Sequence, residues 1–117
     1  MHTMTNWVKV AEVPDDQEDF IRVVKVEGRQ LLLVCHAGSF TVTQSICPHA
    51  GAHLSGGWCK NGKLVCPYHR YEYDLQTGRG AAGQGDYIEI YTTEQRSDGI
   101  YVRVPSRQTF FQKLFRL

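Results

Sequence analysis

The sequence predicts an all-β protein: a small β-barrel or sandwich base with an inserted, loop-dominated subdomain. Three observations predict it. Short runs rich in β-branched and aromatic residues recur along the chain, separated by Gly, Asn and Asp turn signals. No long stretch carries a helical period before the last dozen residues. Between the two β-rich halves lies Ser45 to Gly78, a glycine-rich stretch holding three of the four cysteines and three of the five histidines.

Each element can be justified in order. Trp7 to Val13 reads as a first strand. "EDFIRVVKVEG" supplies a second, which ends at a Glu27-Gly28 turn. "QLLLVCHAG" and "SFTVTQ" read as two more strands broken at Ala37-Gly38. In the latter, Phe40 and Val42 alternate with Ser39, Thr41 and Thr43, the period of a half-buried strand. "CKNGKLVC" centres on Asn61-Gly62, the preferred pair for a two-residue hairpin whose central positions need positive φ. "DYIEIYTTE" puts Ile88 and Ile90 on one face. "SDG" then turns the chain into "IYVRV", with Ile100, Val102 and Val104 on one face. The tail "TFFQKLFRL" sets Phe110, Phe111, Leu114, Phe115 and Leu117 on one side of a helix, suiting a closing element or a docking segment for a partner.

Composition narrows the function. A length of 117 residues suits one domain, 1–117, and 42% hydrophobic with 21% charged residues is ordinary for a soluble globular protein. A net charge of +1 provides no polybasic field for nucleic acid. No apolar run reaches the roughly 18 residues of a membrane helix, and "MHTMTNWVKV" has no apolar signal core. The expected location is a reducing cytoplasm, where cysteines serve as metal ligands, reactive thiols or core residues more often than as disulfides.

Two short motifs carry the chemistry: Cys47-Pro48-His49 and Cys66-Pro67-Tyr68-His69, with sixteen residues between His49 and Cys66. Zinc sites pair their ligands as C-x2-4-C and H-x3-5-H, and a C-x-H pair is tighter than that. The arrangement fits a [2Fe–2S] cluster with two cysteines on one iron and two histidines on the other. Pro48 and Pro67 stiffen the two loops, and Gly51, Gly56 and Gly57 let the backbone bend close to the sulfurs.

The stretch resembles the Rieske family, whose signature of C-x-H, some sixteen residues and C-x-x-H is met at Cys47, His49, Cys66 and His69. "CPHAGAHLSGG" is similar to the first cluster loop of Rieske ferredoxins and oxygenases, and "CPYHRYEYDLQTG" to the second. The resemblance implies a Rieske-type iron–sulfur fold with a cluster-binding subdomain at approximately 45–80. It also implies one [2Fe–2S] cluster per chain, held by those four residues, with Pro48, Gly51, Gly57, Pro67, Tyr71 and Tyr73 around them. Respiratory-complex members carry an extra cysteine in each loop, joined as a disulfide; the matching positions here are Ala52 and Tyr68, and an N-terminal membrane anchor is not expected. A quinol-oxidising subunit is therefore not expected. High-potential members place a serine donor two residues after the second histidine. Here that residue is Tyr71, while the tyrosine two further on is kept as Tyr73. Two imidazoles in place of two thiolates raise the potential to about −150 to +300 mV, and the loss of one donor places this protein low in that range. The histidine ligands also imply a potential that falls once alkaline pH begins to remove their protons.

The resemblance implies a one-electron carrier, not an enzyme in itself. A flavin-dependent reductase would supply the electron and a terminal oxygenase or similar oxidoreductase would receive it, through a contact face formed by His49 and His69. Catalytic oxygenase subunits continue into a large mononuclear-iron domain, and with 117 residues substrate oxidation on this chain alone is not expected. The alternatives are a small Rieske-fold subunit of a larger enzyme, a zinc-stapled interaction module and, last, a redox sensor. Among the remaining residues, Cys35 reads as core and His36 as a turn residue. Cys59 reads as a partly buried unpaired thiol and His53 as a solvated loop residue. Asp15, Asp16, Glu18 and Asp19 read as a solvated acidic loop. Lys60, Lys63 and Arg70 suggest a weakly basic rim, diluted by Glu72 and Asp74.

Overall fold

The computed structural model describes residues 5–49 and 51–105. Ten strands follow in chain order: β1 (Thr5–Ala11), β2 (Phe20–Val26), β3 (Arg29–His36), β4 (Ser39–Gln44), β5 (Trp58–Lys60), β6 (Lys63–Val65), β7 (Glu72–Asp74), β8 (Ile90–Tyr91), β9 (Thr93–Arg96) and β10 (Gly99–Pro105). Among the described residues the only helical element is a 3-10 turn at Leu54–Gly56. The all-β reading holds. The C-terminal tail lies outside the described residues.

The strands form three antiparallel sheets, ordered β1-β10-β9, β2-β3-β4-β8 and β5-β6-β7. Three hairpins share one turn geometry. The pairs Glu27-Gly28, Ala37-Gly38 and Asn61-Gly62 all have both residues at positive φ, between 50° and 80°. That twist matches the right-handed twist of the flanking strands, so two residues close each hairpin.

Two cores result. Leu31, Leu33 and Val42 from the second sheet meet Ile100, Val102 and Val104 from the first, forming the base. The opposite face of β3 presents Leu32 and Val34 to a second core, which contains Cys47, Leu54, Leu64, Cys66, Tyr73 and Ile88. β3 is thus covered on both sides, which explains why "LLLVC" is apolar throughout where a half-buried strand would alternate.

Several boundaries differ from expectation. The first strand ends at Ala11, two residues short of Val13. "DYIEIYTTE" is not one strand: β8 pairs with β4, whereas β9 pairs with β10, so the chain changes sheets at Thr92. Ile88 precedes the strand and is buried in the second core, with Ile90 packed against it. In β4, Thr43 is buried beside Val42 and breaks the alternation; its hydroxyl is satisfied by the Gln44 carbonyl at 2.8 Å.

Candidate functional site

One motif loop follows β4 of the second sheet and the other joins β6 to β7 of the third, and each is closed in the same way. The Cys47 amide donates to the Ala52 carbonyl at 2.8 Å, and the Cys66 amide donates to the Tyr71 carbonyl at 2.8 Å. Each cysteine therefore starts a loop whose neck is pinned five residues later. In the first loop the Gly51 amide donates to the Cys47 carbonyl, and Gly51 has φ +68°, a left-handed position that suits glycine. Just beyond the loop, the Leu54 amide donates to the Ser45 carbonyl. Gly57 serves a different purpose from the one its place near the sulfurs suggests: any Cβ there would land on the Val65 carbonyl, so glycine is required for close approach to β6.

The four expected ligands fall into two pairs, one of cysteines and one of histidines. Cys47 and Cys66 are both fully buried, with side chains against each other at the top of the second core. Burial is the main cause holding the Cys66 thiol above its usual range, and the Tyr68 amide partly offsets it. His49 and His69 are exposed, their ring centroids 5.4 Å apart and nearly edge-to-face. Each imidazole has its own aromatic neighbour. Tyr71 stacks flat on His49 with centroids 3.8 Å apart and planes 12° apart, and Tyr68 meets His69 edge-on at 5.3 Å. Tyr71 is more than an absent serine: it packs one face of the His49 imidazole.

His69 and Arg70 are consecutive non-glycine residues with φ of 60° and 56°. This left-handed pair bends the loop at the exposed His69, three residues after the buried cysteine, at a backbone cost of roughly 1–2 kcal/mol per residue. Below the loops, the Tyr73 hydroxyl donates to Asp86 Oδ2 at 2.9 Å and lies 3.4 Å from Cys47 Sγ. Burial, followed by Cys47 and Asp86, holds the Tyr73 phenol well above its ordinary range, so it keeps its proton. Asp86 was not legible as a site residue, because its sequence neighbours, glycine and tyrosine, give no such signal.

The remaining residues fall where their chemistry puts them. Cys35 is a core residue with its thiol 3.7 Å from the Gln17 carbonyl. Cys59 is half-buried and unpaired, its thiol pushed up to about 11 by burial with smaller effects from Asp19 and Cys35. His53 is exposed. His36 corrects the turn reading: it ends β3 and joins three segments. Its Nε2 accepts from the Gly62 amide at 2.9 Å, so Nδ1 carries the proton and donates it to Asp19. Asp19 also accepts from the Ala37 amide at 3.0 Å, so this member of the acidic loop is a structural acceptor. The basic rim is weaker than the sequence suggests, since Lys63 lies 4.0 Å from Glu72.

The chemistry of this donor set fits a two-iron cluster: two buried sulfurs and two exposed imidazoles match a group with a thiolate end and an imidazole end. No helix among the described residues is long and apolar enough to cross a membrane.

Comparison with known proteins agrees with this geometry. The family model for the Rieske [2Fe–2S] domain matches residues 6–88. The ferredoxin component of the naphthalene 1,2-dioxygenase/salicylate 5-hydroxylase systems of Ralstonia sp is 31% identical over 74 residues, covering 63% of this chain and 71% of that protein. Ferredoxin CarAc of Metapseudomonas resinovorans is 30% identical over 98 residues, covering 82% of this chain and 92% of that one. A chain of the solved complex of reduced oxygenase and oxidised ferredoxin in carbazole 1,9a-dioxygenase superposes with a TM-score of 0.72 at 28% identity, covering 82% of this chain and 91% of that chain.

Proposed function

The chain belongs to the Rieske [2Fe–2S] family, and from that premise we propose that it is a one-electron carrier, passing electrons from a flavin-dependent reductase to a terminal oxygenase or similar oxidoreductase. Cys47 and Cys66 would hold the inner iron and His49 and His69 the outer one. The bound cluster supplies reversible one-electron chemistry at a potential above that of all-cysteine clusters. Everything else is done by the chain. Burial of the two cysteines keeps water from the sulfur end, and binding must displace the Cys66 thiol proton that burial holds in place. The exposed imidazoles form the electron's exit, and contacts at such a face are small and transient.

The observation that carries this reading is that the two cysteines are buried against each other while the two histidines are exposed with ring centroids 5.4 Å apart. The names of the relatives support the choice of partners: they are ferredoxin components of oxygenase systems. Anaerobic purification followed by EPR of the dithionite-reduced protein tests it. The expected result is a red-brown protein with two irons and two labile sulfides per chain, and a low average g. A colourless protein with one zinc would move the function to an interaction module. A coloured protein that delivers electrons to no oxygenase or other acceptor would move it to a subunit role.

A further inference from the structure

Tyr73 has one hydroxyl proton and two partners that want it. Asp86 Oδ2 lies 2.9 Å from the phenolic oxygen and Cys47 Sγ lies 3.4 Å from it. While Cys47 is a thiol, its S–H can donate to the phenol and the phenol can donate onward to Asp86, so all three groups are satisfied. A thiolate bound to iron has no proton to give. The phenol then stands between two anionic acceptors and can serve only one at a time.

Asp86 is held for this contact. Its other oxygen, Oδ1, accepts from Gln84 Nε2 at 3.2 Å, and Gln84 Oε1 accepts from the Glu72 amide at 2.9 Å. The Asp86 carbonyl accepts from the Gly80 amide at 2.9 Å. A side chain at Gly80 would put its Cβ 2.6 Å from Asp86 Oδ1 and 2.7 Å from Gln84 Nε2, so glycine there is a condition of the arrangement. The loop carrying Asp86 is thereby tied to β7, the strand that carries Tyr73.

We propose that Asp86 is a positioning residue for the Tyr73 proton, drawing it away from Cys47 and so holding the potential of the bound cluster low. This rests on the ligand assignment made above. A carboxylate concentrates its charge on two oxygens, whereas a thiolate bound to iron would share its charge with the metal, and the phenol donates to the carboxylate. A hydrogen bond to the sulfur stabilises the reduced, more negative cluster and raises the potential. Withdrawing that bond lowers it. The tyrosine shared with high-potential relatives would then be present here but turned to another acceptor.

A double-mutant cycle read by redox titration of the loaded protein tests this. D86N leaves an amide that donates to the phenolic oxygen and frees the Tyr73 proton for Cys47. D86A removes the acceptor altogether and gives the same prediction if the asparagine variant folds poorly. The reduced-to-oxidised ratio at fixed applied potential is expected to rise about tenfold, the worth of one hydrogen bond to a charged group, or about 59 mV for one electron. Y73F alone is expected to move the ratio far less, and the greater part of the D86N shift is expected to vanish in Y73F/D86N. A shift of equal size with and without the Tyr73 hydroxyl would mean that Asp86 acts by charge alone and would overturn the proposal. So would an unchanged potential in D86N. A red-brown protein with an additive cycle overturns this inference and leaves the carrier function standing; a protein that takes up no cluster overturns both.

Discussion

The two cores on either side of β3 are built from different material. The base core is aliphatic: Val26, Leu31, Leu33, Val42, Ile100, Val102 and Val104 come from long, regularly paired strands. The upper core mixes leucine and isoleucine with two cysteines and a tyrosine, and its walls are largely loops and three-residue strands. The base is therefore held by apolar area removed from water over a repeating hydrogen-bond ladder. The upper core depends on single bonds at loop necks and on polar pairs such as Tyr73 with Asp86. Regular structure tolerates loss of any one contact better than a loop closed by one amide.

The largest expected effect breaks the comparison cleanly. Cys66→Ala should abolish the visible absorbance of the loaded protein while far-UV circular dichroism retains the base strands, since no base-core residue contributes to the site. Loss of strand signal together with colour would show that the two cores do not fold separately. Next come Leu33→Ala and Leu64→Ala, each expected to cost about 2–5 kcal/mol in denaturant unfolding. The first should leave the EPR spectrum of the folded fraction unchanged, whereas the second, beneath the cysteines, should broaden or shift it. Arg70→Gly should stabilise the protein by about 1 kcal/mol, because it removes a Cβ from a left-handed backbone position.

The smallest effect concerns pH. The Asp19 carboxyl is held below its ordinary range, first by His36 and then by the Ala37 amide. A folded-state value below the unfolded one adds stability that is fully present above the unfolded value and is lost as pH falls through the folded one. Thermal melts across the acid range should therefore show a decline that Asp19→Asn reduces. An identical slope in both proteins would remove Asp19 from the account.

The base was largely legible in the sequence because its elements repeat a period. Ile100, Val102 and Val104 alternate as expected, and three two-residue turns fall at their turn pairs. The two Cys/His motifs stood out for another reason: Cys and His at fixed spacing have few other uses. What escaped was everything decided by contacts between distant segments. Nothing near Thr92 marks a change of sheet, because the residues on both sides suit a strand equally well. His36 looked like a turn residue because its partners, Asp19 and Gly62, are 17 and 26 positions away. The stacking of Tyr71 on His49 and the hold of Asp86 on Tyr73 depend on which loop tips face each other, and local pattern does not encode that.

The double coverage of β3 gives each of its positions an address. Successive side chains point to opposite faces, so residues 31 and 33 report to the base while residues 32 and 34 report to the cysteine side. In a colony screen scored for pigment and for soluble yield, odd-numbered substitutions on this strand should lose both traits together. Even-numbered ones should bleach the cells first and spare the yield. Four consecutive aliphatic residues thus act as a two-channel recorder in which parity selects the channel.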